Sequence, residues 1–125
     1  MSSIICERAF VFAVRIIKVC ERLCERGMIG MHLAKQLLKA GTSIGANAEE
    51  AQEGQTKPDF IAKMAVSRKE SRETHYWLRL CVAAGLMKRE QVDWELDEAE
   101  QLRKMIRAAI ITAQSSSNRD ELDQI

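Results

Sequence analysis

The stretch from Leu37 to Gln52 constrains the fold most, because it has the composition of a helix and yet contains two glycines. Each glycine in a helix interior costs about 1 kcal/mol relative to alanine. Gly41 and Gly45 lie one turn apart, and Ala48 follows almost one turn later. Small residues at this spacing indicate that a second helix packs closely against this one. We therefore expect a close-packing contact at Gly41, Gly45 and Ala48.

The chain has the length and composition of one helical domain. Its 125 residues include one proline and six glycines, and strong helix formers dominate, so an all-α fold is expected. Nineteen basic and eighteen acidic residues leave a net charge of +1. No global field therefore draws the chain toward nucleic acid or membrane, and any such binding needs a local patch.

Hydrophobic periodicity predicts two helices in the first half of the chain. The first covers residues 4–26 and is apolar over about half of its circumference, more than burial against one core requires. Its surplus apolar face therefore needs a partner. A short break at Gly27–Gly30 should precede the second helix, which runs from about Met31 to Gln52. Its predicted inward residues are Ala34, Leu37, Leu38, Gly41, Ile44, Gly45 and Ala48.

Capping signals delimit the second half. Thr56 is a predicted N-cap followed by proline and Asp59 in the first turn, and Gly85 with Leu86 predicts where the third helix ends. The fourth helix should occupy about 88–114, and the polar residues 115–125 should form a mobile tail. Four helices with short connections predict an antiparallel up-down-up-down four-helix bundle over residues 4–114.

The cysteines and the lengths of the apolar runs indicate in which cellular compartment the protein is expected. All four cysteines lie inside apolar helical patterns, and no secretory signal precedes them, so we expect a reducing cytosol. They are Cys6, Cys20, Cys24 and Cys81. A bilayer-spanning helix needs about 20 apolar residues, and no run approaches that length, so no membrane association is expected.

Catalytic and metal-binding patterns are incomplete. Cys20 and Cys24 with His32 or His75 would suit zinc, but the chain has no Cys-x-x-Cys or His-x-x-x-His pair. The glutamates that might serve a di-iron bundle lack the Glu-x-x-His motif. These are Glu49, Glu50, Glu70 and Glu73. No nucleophile elbow or nucleotide-binding loop occurs, so we expect a non-enzymatic protein without metal or cofactor.

Polar side chains accompany the apolar side of the third helix. If the second and third helices are antiparallel, Ser43 should face Ser67, and Lys39 should approach Glu70. The first interpretation is an internal polar network that fixes helix register or subunit geometry. Its predicted members are Ser43, Asn47, Glu50, Arg68, Glu70 and Glu73. The alternative is a set of contacts to a ligand or nucleic acid.

Basic residues are concentrated in the third helix and the connection after it. Residues 57–90 carry eight lysines or arginines against four acidic residues, with Tyr76 and Trp77 among them. Basic side chains meet phosphates and aromatic rings stack on bases, although a solvated helix face has the same composition. The predicted contacts to nucleic acid or another partner are Lys63, Lys69, Arg72, Tyr76, Arg79, Lys88 and Arg89.

Two blocks of the sequence resemble the four-helix bundle proteins encoded in intervening sequences of 23S ribosomal RNA genes. The run 37–52 carries one block, and 58–64 followed by 69–80 carries the other. The resemblance implies a four-helix bundle that assembles into a homopentameric ring. Relatives that assist diversity-generating retroelements are similar but strongly basic, and engage a reverse transcriptase and RNA.

This chain departs from those relatives in its net charge of +1. We expect a self-associating scaffold that contacts RNA or a nucleic-acid enzyme, or else a purely structural protein–protein adaptor.

Overall fold

The computed structural model describes the backbone of residues 2–123 and the side chains of residues 4–116. Over the described backbone the chain is all-α, with four helices, one short 3₁₀ turn and no strand. The helices are α1 (Ser2–Cys24), α2 (Gly27–Gln52), α3 (Lys57–Ala83) and α4 (Asp93–Asp123), and the 3₁₀ turn is Arg89–Gln91. The predicted all-α fold with four helices is confirmed.

A single apolar core lies between the helices. α1 packs on α2, α2 on α3 and α3 on α4, while α4 also contacts α1. The core includes Phe12 and Ile16 of α1, Ile44 of α2, Leu78 of α3 and Ile106 of α4, all fully buried. Burying one such side chain contributes about 1.5–3 kcal/mol. This core holds α3 between α2 and α4, so that polar residues of α3 lie next to each of these two helices.

The junction between α1 and α2 is shorter than predicted. The expected break at Gly27–Gly30 is wrong, because only Glu25 and Arg26 separate the helices and α2 begins at Gly27. Gly30 lies inside α2, where a Cβ atom would come within 2.2 Å of the Leu23 carbonyl oxygen. This glycine lets the end of α1 approach the first turn of α2 rather than marking a loop.

The two glycines in the middle of α2 lie against α1. A Cβ atom at Gly41 would stand 2.7 Å from Ile16 Cγ2, and one at Gly45 would stand 3.3 Å from the Ala9 Cβ. Ala48 is fully buried on the same side of α2. The second helix that approaches this stretch is therefore α1.

One residue predicted on the inward side of α2 lies outside it. Leu38 is 40% exposed, whereas Ala40 is buried. Leu38 lies at the margin of the arc formed by the buried residues of α2 and therefore remains at the surface.

Both ends of α3 follow the predicted capping signals. The Thr56 hydroxyl accepts a hydrogen bond from the Asp59 backbone N–H at 3.2 Å, and the proline lies in the first turn. At the other end Gly85 adopts a φ of +77°, and the Leu86 N–H donates to the Cys81 carbonyl at 3.0 Å. This left-handed C-cap turns the chain toward α4.

The fourth helix begins later and ends later than predicted. Lys88, the expected first residue, precedes the 3₁₀ turn, and its backbone N–H donates to Gln91 Oε1 at 2.8 Å. α4 then continues to Asp123, beyond the predicted end at residue 114. Most of the predicted mobile tail, residues 115–125, lies outside the residues with described side chains, and its mobility stays a prediction.

Candidate nucleic-acid interface

The exposed side of α3 carries a row of basic side chains with one aromatic ring. Lys69, Arg72, Tyr76 and Arg79 recur every three or four residues, which places them on one side of a helix, and all four are exposed. The Arg79 guanidinium carbon lies 5.8 Å from the centre of the Tyr76 ring. We call these four residues the α3 ridge. They are the part of the predicted contact set that the structure brings together.

A cleft of about 690 Å³ lies between α2 and α3, on one side of the ridge. Besides the ridge, Gln36 and Lys39 of α2 and Glu70, Glu73 and Trp77 of α3 line this cleft. Burial and the neighbouring Glu73 carboxyl raise the pKa of Glu70, against the opposing charges of Lys69 and Lys39. The predicted approach of Lys39 to Glu70 is therefore present. We call this space the α2–α3 cleft.

A second cleft, of about 400 Å³, lies on the other side of the ridge, between α3 and α4. Its lining residues are Arg68, Arg72, His75, Arg79, Glu100 and Arg103. Arg103 donates to Glu100 from Nη2 at 3.0 Å and from Nε at 3.4 Å, and this bond lowers the pKa of Glu100. Among the described residues, the only carboxylate lining this α3–α4 cleft is thus already paired.

Arg68, one of the residues that line the α3–α4 cleft, has an unsatisfied donor. Its Nε atom is buried and has no hydrogen-bond partner among the described residues. A buried donor left unpaired costs about 1–3 kcal/mol, and more when the group is charged. Within the described side chains, no carboxylate lies within ion-pair distance of Arg68, Arg72 or Arg79.

The pKa of His75 reflects the burial and the charges around the α3–α4 cleft. Desolvation lowers the pKa of His75, and the positive charges of Arg79, Arg103 and Arg89 lower it further, whereas Glu100 raises it. Both causes of the lowering disfavour an additional positive charge at this place. The α3–α4 cleft therefore has a surplus of positive charge in partly dry surroundings.

Three predicted contact residues lie apart from the α3 ridge. Lys63 pairs with Glu50 of α2 at 2.9 Å. Arg89 pairs with Asp93 at 3.1 Å, and Lys88 lies at the start of the 3₁₀ turn. These three residues are not part of the α3 ridge, and their role in binding stays a prediction.

The predicted polar network is divided among several places. Ser43 donates to the Lys39 carbonyl at 2.5 Å, and Asn47 donates to the Ser43 carbonyl at 2.8 Å, so both bond within α2. The link between the helices comes instead from Ser67, whose hydroxyl donates to the Ile44 carbonyl at 2.7 Å. Glu70 and Glu73 line the α2–α3 cleft, whereas Arg68 lines the α3–α4 cleft.

The basic side of α1 is occupied by α4. Arg8 pairs with Glu98 at 2.6 Å, and Arg15 pairs with Glu95 at 3.4 Å. The Arg15 guanidinium also lies 4.7 Å from the centre of the Trp94 ring. Because Glu95 and Glu98 are buried, these contacts hold α1 against α4.

The opposite side of α1 exposes apolar side chains. Phe10 is 64% exposed, and Val14 and Ile17 on the same helical side are more than two-fifths exposed. On the neighbouring helix α2, Leu38 is also 40% exposed. We call Phe10, Val14, Ile17 and Leu38 the α1–α2 apolar surface. None of the helices in the described ranges combines the length and apolarity needed to cross a bilayer.

The thiols and histidines do not converge on a metal site. No group of three His, Cys, Asp or Glu side chains that could hold a metal ion occurs among the described residues. Burial raises the pKa of Cys20 to about 12, so this group is a thiol rather than the thiolate that zinc requires. Its neighbour one turn on, Cys24, is exposed.

Sequence reasoning missed the α4 side of the interface. Glu100 and Arg103 are three residues apart, a spacing typical of a surface ion pair on any helix. Their position beside His75 depends on how α3 and α4 align across residues 84–92. The unequal distribution of the arginines on α3, with Arg68 and His75 on the α4 side, is the one signal that could have revealed the cleft.

A family model and a solved structure match this chain. The sequence model of the 23S rRNA-intervening sequence protein family matches residues 1–108. The chain is also similar to a protein of unknown function from the S23 ribosomal protein family of Bacteroides thetaiotaomicron VPI-5482, solved by crystallography, with a TM-score of 0.79. The two sequences are 33% identical over 85% of this chain and 97% of that chain. No curated protein matches this sequence.

Proposed function

This chain belongs to the 23S rRNA-intervening sequence protein family, and from that premise we propose that it is a non-enzymatic accessory protein. It contacts RNA, or an RNA-containing nucleic-acid enzyme, through the α3 ridge, and it acts as an oligomer without a cofactor. All four cysteines are free thiols, which suits a cytosolic location. The observation that carries the proposal is the α3 ridge itself.

The α3 ridge has the chemistry that single-stranded or looped RNA requires. Lys69, Arg72 and Arg79 are exposed, and no carboxylate of the described residues lies within ion-pair distance of them. Basic side chains without acidic partners release counterions from phosphates on binding, and Tyr76 offers a ring on which a base can stack. Three charges on one subunit give weak binding. An oligomer presents several copies of the ridge, and several simultaneous contacts to one RNA increase the overall affinity.

We propose that the bundle is antiparallel, up-down-up-down, and that it assembles into a ring. Contacts between neighbouring helices support the antiparallel arrangement, because residue numbers rise on one helix as they fall on the other. These pairs are Ala9–Gly45 and Ile16–Gly41, Lys63–Glu50 and Ser67–Ile44, and Arg8–Glu98 and Arg15–Glu95. The α1–α2 apolar surface supplies the subunit contact, and the family resemblance implies five subunits.

The test is a titration of the protein against a labelled structured RNA at two salt concentrations. We expect binding at low salt that weakens steeply as salt rises. The double variant Lys69→Glu and Arg72→Glu should abolish it. The matched control reverses two exposed charges off the ridge, Lys18→Glu and Lys35→Glu, and should bind as wild type does. Undetectable binding at low salt, or equal loss in both double variants, would refute the RNA contact.

A purely structural protein–protein adaptor is the second candidate. The α1–α2 apolar surface favours it, because contiguous exposed apolar side chains mark a protein interface rather than a nucleic-acid one. If the ring forms but RNA does not bind, this function stands in place of the first.

A further inference from the structure

The α3–α4 cleft concentrates positive charge that the protein does not neutralise. Four arginines and His75 line it, together with Glu100, which is the single carboxylate among the described lining residues. Glu100 is engaged by Arg103, which leaves the guanidinium groups of Arg68, Arg72 and Arg79 without an acidic partner among the described side chains. Positive charges gathered in one cleft repel one another unless an anion joins them.

The kind of anion follows from the donors. Guanidinium groups are planar forks that bind carboxylate or phosphate oxygens in pairs. Several forks around one space suit a phosphate group better than a carboxylate, because phosphate offers more acceptor oxygens and a higher charge. The buried Nε of Arg68 is an unused donor on a side chain that lines the same cleft. We infer that the α3–α4 cleft is a phosphate-binding site.

This site goes beyond the α3 ridge, because Arg68, His75 and Arg103 stand on its α4 side. Arg72 and Arg79 belong to both. The phosphate comes either from an RNA backbone, in which case the inference rests on the proposed function, or from free phosphate or a nucleotide. The cleft volume of about 400 Å³ accommodates either source.

The experiment titrates the full-length protein with inorganic phosphate in a calorimeter, with ionic strength held constant by chloride. We expect saturable binding. Arg68→Gln and, separately, Arg72→Gln should each weaken it roughly tenfold, because each removes a charge-assisted hydrogen bond. Arg72 is exposed, so its variant keeps the test valid if Arg68→Gln fails to fold. Lys35→Gln removes an equal charge outside both clefts and should bind phosphate as wild type does.

Three results would overturn the inference. The first is the absence of saturable phosphate binding, and the second is equal phosphate affinity in Arg68→Gln, Arg72→Gln and wild type. The third is acetate or a polyglutamate peptide binding as tightly as phosphate, which would assign the cleft to carboxylates.

A competition arm identifies the source of the phosphate. A short RNA that displaces inorganic phosphate supports an RNA phosphate, and comparing 5′-phosphorylated with 5′-hydroxyl RNA shows whether the end or the backbone binds. Phosphate binding that RNA does not disturb supports a free ligand.

The failure of this inference and that of the proposed function are distinguishable. The phosphate site alone is refuted if the protein binds no inorganic phosphate while its RNA binding is weakened by Lys69→Glu and unchanged by Arg68→Gln. The proposed RNA contact alone is refuted if the protein binds inorganic phosphate but no RNA.

Discussion

Arg8 and Glu98 join the first and last helices through two hydrogen bonds, from Arg8 Nη2 at 2.6 Å and from Nε at 2.9 Å. The hydrogen bond to Glu98 raises the pKa of Arg8. Because Glu98 is buried, its carboxylate has lost most of its contact with water, and the Arg8 guanidinium donates hydrogen bonds to both of its oxygens. The pair fastens α4 to a helix that lies about ninety residues away along the chain.

Removing the guanidinium should destabilise the bundle. Arg8→Met keeps the stem but leaves the Glu98 carboxylate unpaired, and we expect a loss of about 1–3 kcal/mol in the free energy of unfolding, measured with urea. Lys18→Met is the control on the same helix, because its pair with Glu21 is exposed on both sides and contributes under about 1 kcal/mol. Equal effects of the two changes would contradict this role for the pair.

Enlarging a glycine of α2 should separate it from α1. Gly45→Leu adds a side chain where even a Cβ atom would stand 3.3 Å from the Ala9 Cβ, and we expect a loss of about 1–3 kcal/mol or more. Ala46→Leu adds a similar group at the next, exposed position and should change stability by less than about 0.5 kcal/mol. Thermal unfolding of both variants checks the difference.

Acidification should destabilise the protein through His75. Its pKa is lowered in the folded chain by burial and by Arg79, Arg103 and Arg89, against the opposing charge of Glu100. The unfolded chain takes up the proton near pH 6.5, and the folded chain only at a lower pH. The stability from neutral His75 is therefore complete above pH 6.5 and is lost as the pH falls through the lowered value.

The measurement is the free energy of unfolding of wild type and His75→Gln between neutral and mildly acidic pH. His75→Gln should lose less stability on acidification than wild type does. His32→Gln removes the exposed imidazole of α2, outside both clefts, and should follow wild type. Parallel curves for His75→Gln and wild type would show that this imidazole does not carry the effect.

A charge on the α1–α2 apolar surface should dissolve the proposed ring. Wild type should scatter light as a particle about five times the 14.2 kDa chain mass. Phe10→Glu combined with Ile17→Glu should give the single-chain mass, because like charges would be buried without partners. Val66→Lys alters an exposed apolar side chain of α3 and should leave the assembly intact. A wild-type particle of single-chain mass would end the ring proposal.

Local signals in the sequence were sufficient where the structure is decided locally. Thr56 and Gly85 predicted both ends of α3, because capping depends on a few neighbouring residues. Gly27 and Gly30 misled for the opposite reason. Gly30 is required by the approach of α1, a contact between helices that a window of sequence does not contain.

The site was predictable only in part. The helical spacing of Lys69, Arg72, Tyr76 and Arg79 was sufficient to place them on one side of α3. Which neighbours flank that side depends on the packing of α2 and α4, so Glu100 and Arg103 remained unrecognised. Lys63 was wrongly grouped with these residues for the same reason. Its position on α3 agreed with the predicted contact set, but the structure pairs it with Glu50 of α2.

Arg72 and Arg79 line the clefts on both sides of α3, and each has one guanidinium group. A guanidinium turned toward an anion on the α4 side is withdrawn from Glu70 and Glu73 on the α2 side. Binding of the inferred phosphate in one cleft should therefore change the electrostatic potential of the other, and we expect the two clefts to be thermodynamically linked within each subunit. A ring would display this linkage at every α3 helix around its circumference.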